Sequence, residues 1–192
     1  LNAQQIAELW NEAAKAGDKR AIALLAWRSE FEKNQVEQNQ ANGRMIPPPL
    51  LSPDTTQKIL DAVATRDPSA VMNLGKVLSQ TSQSNYLALE NGQPLSSLRP
   101  EVWSLLACDF GMDCSQINSV VLAACAHDNV CNYDSLESLY KGQYWTQEES
   151  AKVDQSRELL RDIIATGSMQ RLQFRPFDGN DSVTRMNIRP SP

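Results

Sequence analysis

Long apolar runs are missing from this sequence: nothing in it approaches the eighteen or so residues that a membrane-spanning helix needs. Positive charge is also short, because 18 Lys and Arg stand against 23 Asp and Glu, a net charge of −5. That sign disfavours nonspecific binding to nucleic acid or to an anionic membrane, so no nucleic-acid partner and no transmembrane segment are expected. Histidine occurs once, at His127, beside Asp128. As a catalyst it would need a nucleophile or an oriented partner within hydrogen-bond reach, and no G-x-S-x-G, H-E-x-x-H, Walker or G-x-G-x-x-G pattern accompanies it. No catalytic residue, metal ligand or cofactor is therefore expected. A secretory h-region is lacking too. The chain begins at Leu1 rather than Met, however, and its start is read as processed or trimmed, which leaves export open.

What is present is helical periodicity. Hydrophobic residues make up 41% and charged residues 21%, ordinary values for a globular chain. Ile6, Leu9, Trp10 and Ala13 share one face of a first helix. Gly17-Asp18 closes it and caps a second, which carries Ile22, Leu25, Trp27 and Phe31. Residues 41–53, with Gly43, Pro47-Pro48-Pro49 and Pro53, read as a linker. Ser52-Pro53 and Asp67-Pro68 start a third and a fourth helix. Residues 82–98 are loop-like, and a fifth helix leads from Pro100 through Trp103 into Cys108. A sixth carries Ile117, Val120, Val121 and Ala124. A seventh starts near Asp134 with Glu137 three residues on, and an eighth at Thr146 with Glu149, both as capping boxes. Gly167 stops the eighth. The expectation is one all-α domain of about eight helices over 1–167, followed by an irregular tail over 168–192.

An internal repeat runs through the first part. Glu12-Ala13-x4-Asp18-x2-Ala21-x3-Leu25-Ala26 returns as Asp61-Ala62-x4-Asp67-x2-Ala70-x3-Leu74-Gly75, a constant offset of 49 positions. Its physical content is a helix, a tight turn, an Asp cap, and small residues where two antiparallel helices approach closely. Such pairs bury their faces by stacking. These residues resemble the Sel1-like branch of the tetratricopeptide superfamily. Its Ala-x-x-Gly-Asp-x-x-Ala-x-x-x-Leu-Gly core is matched by Ala14 through Ala26, with Ala26 in place of the final Gly, while the second copy has Thr65-Arg66-Asp67 where small-Gly-Asp is usual. The resemblance implies stacked antiparallel hairpins whose groove binds another protein.

The four cysteines are spaced Cys108-x5-Cys114-x10-Cys125-x5-Cys131. Cys114 and Cys125 at the two ends of a continuous sixth helix would sit about 16 Å apart, beyond the roughly 7 Å that a disulfide allows. If the fifth and sixth helices are antiparallel, Cys108 and Cys125 lie at opposite ends of the pair. That leaves Cys108–Cys114 and Cys125–Cys131, each across a break in the helix, at Gly111 and at His127-Asp128-Asn129. Structural zinc takes C-x2–4-C knuckles, which neither spacing offers, and no C-x-x-C supplies a redox motif. Two disulfides imply an oxidising compartment. Leu105-Leu106-Ala107-Cys108-x2-Gly111-x-Asp113-Cys114 also resembles a tail of uncharacterised exported proteins of proteobacteria, which implies the same periplasmic or secreted location and no activity.

The remaining candidates have structural explanations. Glu148-Glu149 fit the first turn of a helix, and Asp178-x2-Asp181 lacks calcium-loop spacing. Trp10, Trp27 and Trp103 belong on apolar helical faces, while Trp145, beside Tyr144, is expected to be partly exposed. The tail sets Arg171, Arg175, Arg185 and Arg189 against Asp178 and Asp181; it is read as folding back across the acidic helices, docking a partner or, as is usual for such tails, being poorly ordered. Function is thus expected to be noncatalytic, an adaptor or scaffold binding another protein in the bacterial periplasm or envelope. The alternative is a periplasmic inhibitor or immunity-type protein that neutralises an envelope-targeting enzyme. A lysozyme-like helical enzyme would need a carboxyl with a raised pKa in a cleft, with Glu90 and Glu137 the positions to inspect.

Overall fold

A computed structural model describes residues 2–40, 51–79, 85–90, 92–95 and 98–176. Eight α-helices are present among them: α1 (Ala3–Lys15), α2 (Lys19–Gln40), α3 (Pro53–Val63), α4 (Pro68–Ser79), α5 (Glu101–Asp109), α6 (Ser119–Asp128), α7 (Leu136–Leu139) and α8 (Gln147–Thr166). The fold is mostly helical. Residues 41–50 of the expected linker, and Asp178, Asp181, Arg185 and Arg189 of the tail, lie outside the described residues.

Local chemistry sets the helix ends. Asn2 caps α1 in a box with Gln5, Ser52 caps α3 with Pro53 at the first helical position, and Thr146 caps α8 in a box with Glu149. The two turns of the repeat share a capping hydrogen bond but differ at the cap N–H, which Asp18 donates to the Ala13 carbonyl and Asp67 to the Thr65 hydroxyl. The Asp18 carboxylate accepts from the Ala21 N–H at 2.9 Å, and 49 positions later the Asp67 carboxylate accepts from the Ala70 N–H at 2.9 Å. The residue before each cap has a positive φ, 88° at Gly17 and 64° at Arg66.

Each of the first four helices packs on the next, and α8 packs against α5. The helices enclose one apolar cluster with Trp103 of α5 at its centre, fully buried and donating its indole N–H to the Ser79 hydroxyl. Gly75 of α4 lets that ring approach the backbone, because a Cβ at this position would meet the indole carbons. The connection from α4 to α5 is part of this core: Leu87, Leu89, Leu95 and Leu98 are all buried.

Three sequence expectations change here. Within the loop-like 82–98 stretch lies a strand, β1 (Asn85–Ala88), paired antiparallel with β2 (Gln173–Pro176) in the register Leu87 to Phe174. Four residues are too few to display a period-2 pattern, and the partner strand lies far along the chain. The stretch after 168 is accordingly ordered to Pro176: the 3-10 turn Met169–Arg171 precedes β2, and Arg171 pairs with both Glu90 and Asp162. The cap of α7 is Ser135 with Ser138 rather than Asp134 with Glu137. Glu137 is engaged elsewhere, by Arg157 and Lys141.

Candidate interaction surface

The disulfides close as Cys108–Cys114 and Cys125–Cys131, with Cα separations of 5.7 and 4.3 Å. The breaks that allow this differ slightly from the expected ones. Helix α5 ends at Asp109, and Gly111, at φ 104°, reverses the chain toward Cys114. Helix α6 begins only at Ser119, so Cys114 lies outside it rather than at its end, and His127-Asp128 belong to its last turn. The break there is made by Asn129 in the left-handed region at φ 58°. By the loop-entropy model each short bridge contributes on the order of 2 kcal/mol. The first also holds a local frame, in which the Leu136 N–H donates to the Cys114 carbonyl and Ser115 bridges to Ser135.

This frame presents α6 to solvent. Val121 and Ala124 are buried, whereas Ser119, Val120, Leu122, Ala123 and Ala126 are exposed. Leu122 is 52% exposed, and Ile117, just ahead of the helix, 70%. The α6 sequence, SVVLAACAHD, has no polar stripe, and its principal neighbour is the short helix α7. Aromatic residues adjoin it. A π-helical turn, Tyr140–Tyr144, precedes Trp145, and Gly142 in that turn takes the Tyr133 ring on its backbone. The Tyr144 hydroxyl donates to Asp128 at the end of α6, at 3.3 Å. Trp145 is only 7% exposed and stacks on Tyr140 at 5.1 Å, contrary to the expected partial exposure. Stacking on Tyr140 buries it where sequence position alone suggested a loop edge.

Several acidic and basic groups elsewhere are mutually engaged. Arg157 of α8 holds Asp109 through two hydrogen bonds of 2.8 and 2.7 Å and Glu137 through one of 2.7 Å, which ties α5, α7 and α8 together. Burial works to raise the Glu137 carboxyl, but hydrogen bonds from Arg157 and Lys141 outweigh it and hold the group below its ordinary range. The Glu90 carboxyl is lowered by its hydrogen bond to Arg171. Neither is therefore a poised acid of the kind glycoside hydrolysis uses. Glu149 is likewise lowered, by the Thr146 N–H and then by Arg99, consistent with capping. His127 is exposed at the α6 end.

Two depressions accompany these elements. One of about 140 Å³ lies between the α4–α5 connection and α8, with the Arg99–Glu149 pair at its wall. The other, a shallow cleft of about 520 Å³, runs between the two repeat turns and includes Asp18, Arg20, Arg66 and Asp67. Arg20 spans it, reaching Asp67 at 3.3 Å while lying over the Trp10 ring at 5.7 Å. No group of His, Cys, Asp and Glu able to hold a metal ion occurs among the described residues, and no described helix is long and apolar enough to cross a membrane. The sequence singled out the cysteines but missed the exposure of α6. Its uniform apolarity was a signal, though one that usually marks a buried helix. No protein-family model, curated protein or solved structure matches this chain.

Proposed function

We propose that this chain is a noncatalytic protein-interaction module of the bacterial periplasm or envelope, an adaptor or scaffold with a pair of degenerate Sel1-like hairpins at its N-terminal end. One observation carries the reading. Every exposed large apolar side chain among the described residues lies in one of two places: Ile6, Leu9 and Phe31 on the first hairpin, or Ile117, Val120, Leu122 and Tyr144 around α6. Scattered exposed apolar residues are normal, whereas clustered ones mark contact surfaces. The two disulfides support an oxidising compartment.

The test uses photoreactive side chains placed at Leu9, Phe31 and Leu122 in the exported protein. The expected result is one discrete crosslinked protein that, once purified, rebinds the chain and is released by Asp at the crosslinking position. A partner enzyme that loses activity on rebinding assigns the inhibitor role instead of the adaptor role. Absence of any crosslink from all three positions overturns the interaction reading. Alkylation followed by mass measurement checks the compartment: four thiols blocked without reductant would remove the argument for export.

A further inference from the structure

We infer that the exposed face of α6 is the docking surface for a basic amphipathic helix of another protein. The inference rests on the interaction-module reading and specifies its site and the partner's chemistry. A helix that is apolar all round normally lies inside a protein, yet α6 is covered on one side only, with Val121 and Ala124 turned inward. On its outer side Ser119, Ala123, Ala126 and His127 lie between Val120 and Leu122. At 100° per residue this makes a low ridge of three small side chains flanked by Leu122 on one side and by His127 and Val120 on the other, a shape on which a second helix can approach closely.

Charge selects the partner. From Pro100 to Tyr140 the chain contains no Lys or Arg and six acidic residues, Glu101, Asp109, Asp113, Asp128, Asp134 and Glu137. Arg157 engages Asp109 and Glu137 from α8. Among the described residues, Asp113, Asp128 and Asp134 meet only uncharged donors: Ser115, the Tyr144 hydroxyl and the Ser138 hydroxyl. Asp113 lies at the start of α6, where its carbonyl accepts from the Asn118 side chain at 2.7 Å. Asp134 precedes Ser135, which bridges to Ser115 near the same end, and Asp128 is in the last turn. The apolar face is thus bounded at both ends by carboxylates that have no cationic partner among the described residues. A second copy of the same face would bring like charges together, which opposes association. An anionic membrane meets the same repulsion. A helix with an apolar stripe flanked by Lys or Arg satisfies both the face and its rim.

The experiment titrates the isotopically labelled chain with a synthetic amphipathic helix of about five turns, made in two forms that share a Leu stripe but carry flanking Lys or flanking Glu. The Lys form is expected to perturb the amides of α6 and Tyr144 and to bind at least roughly tenfold more tightly than the Glu form at low salt, with the gap narrowing as salt rises. Both Ile117→Asp with Leu122→Asp and Asp128→Lys with Asp134→Lys should weaken it by about tenfold or more. All four positions are exposed, so the variants are expected to fold, and unchanged helical circular dichroism checks this. Equal binding of the Glu form, binding indifferent to both double variants, or a self-associated chain that Leu122→Asp returns to monomer would each overturn the inference. If perturbations move to Ile6 and Leu9, α6 docking fails while the interaction-module reading stands. If the synthetic helix docks on α6 but no natural protein crosslinks, the reading fails and the surface chemistry stands.

Discussion

The first and second hairpins share a sequence pattern and a capping hydrogen bond, yet they are buried to opposite extents. Helix α3 buries six residues, including Ile59, Leu60 and Val63. Helix α1, with a well-formed apolar stripe, buries none. The difference is position in the stack. Both α2 and α4 pack on α3, whereas the main contact of α1 is with α2. Apolar periodicity therefore identifies the face a helix can bury, and its neighbours decide whether it does. Helix α1 accordingly leaves Leu9 53% exposed.

The sharpest way to break this comparison is at the matched positions Trp10 and Ile59, 49 residues apart. Ile59 has no exposed surface, and Ile59→Ala should cost about 3–4 kcal/mol through lost burial and a residual cavity. Trp10 is the larger side chain but only half-buried, and Trp10→Ala should cost about 1 kcal/mol, part of it the Arg20 contact. Urea denaturation of both variants checks the order. Equal losses would mean that α1 is covered in solution.

A second matched pair is Ala26 and Gly75, where the first hairpin has a methyl group and the second has none. A Cβ at Gly75 runs into the buried Trp103 ring, so Gly75→Ala should destabilise by about 2 kcal/mol despite its better helix propensity. Ala26→Gly should cost only the propensity difference, about 1 kcal/mol. Indole fluorescence should shift in the Gly75 variant alone, because Trp103 must move.

The ion pairs differ in the same sense. Arg20 and Arg157 each reach two carboxylates, but the Arg20–Asp67 side chains are 37% and 38% exposed and the Arg157–Asp109 side chains 15% each. Arg157→Met should therefore cost more, about 1–2 kcal/mol against less than about 1 for Arg20→Met. Glu137 makes the pH dependence specific. Its carboxyl is lowered in the folded chain, so its contribution is present above the ordinary glutamate range and is lost as pH falls through the folded value. Glu137→Gln should remove part of the acid destabilisation, measured as the slope of unfolding free energy against pH between neutral and acid. An unchanged slope would place the acid sensitivity elsewhere.

Legibility in the sequence followed the range of the interactions. Caps written within four residues, such as Asp18, Ser52, Asp67 and Thr146, were readable because each satisfies its own helix end. The cysteine pairing was readable because a disulfide has a short reach and the breaks lie between the partners. The stacking of Trp145 on Tyr140 depends on a local π-helical turn that no sequence pattern announced, whereas the β1–β2 ladder and the clamp of Arg157 on α5 and α7 join residues that tertiary packing brings together. The exposed face of α6 belongs with them, since a run such as Val120-Val121-Leu122-Ala123-Ala124 reads the same whether it is covered or bare.

The smallest expected effect tests whether the two hairpins share one turn at all. Gly17 and Arg66 stand at the same repeat position, both in the left-handed region, at φ 88° and 64°. An L side chain there is strained by about 1 kcal/mol, and nothing lies within 4 Å of a Cβ built at Gly17, so the penalty at that site is one of backbone alone. Gly17→Ala should destabilise by about 1 kcal/mol. Arg66→Gly should stabilise by less, a few tenths, because relief of strain is partly offset by the greater freedom that glycine gives the unfolded chain. Opposite signs from the two exchanges, read as shifts in the denaturation midpoint at unchanged slope, are what one turn built twice requires. If both shift the same way, the turns differ in solution, and the 49-residue repeat is a likeness of composition without a common backbone.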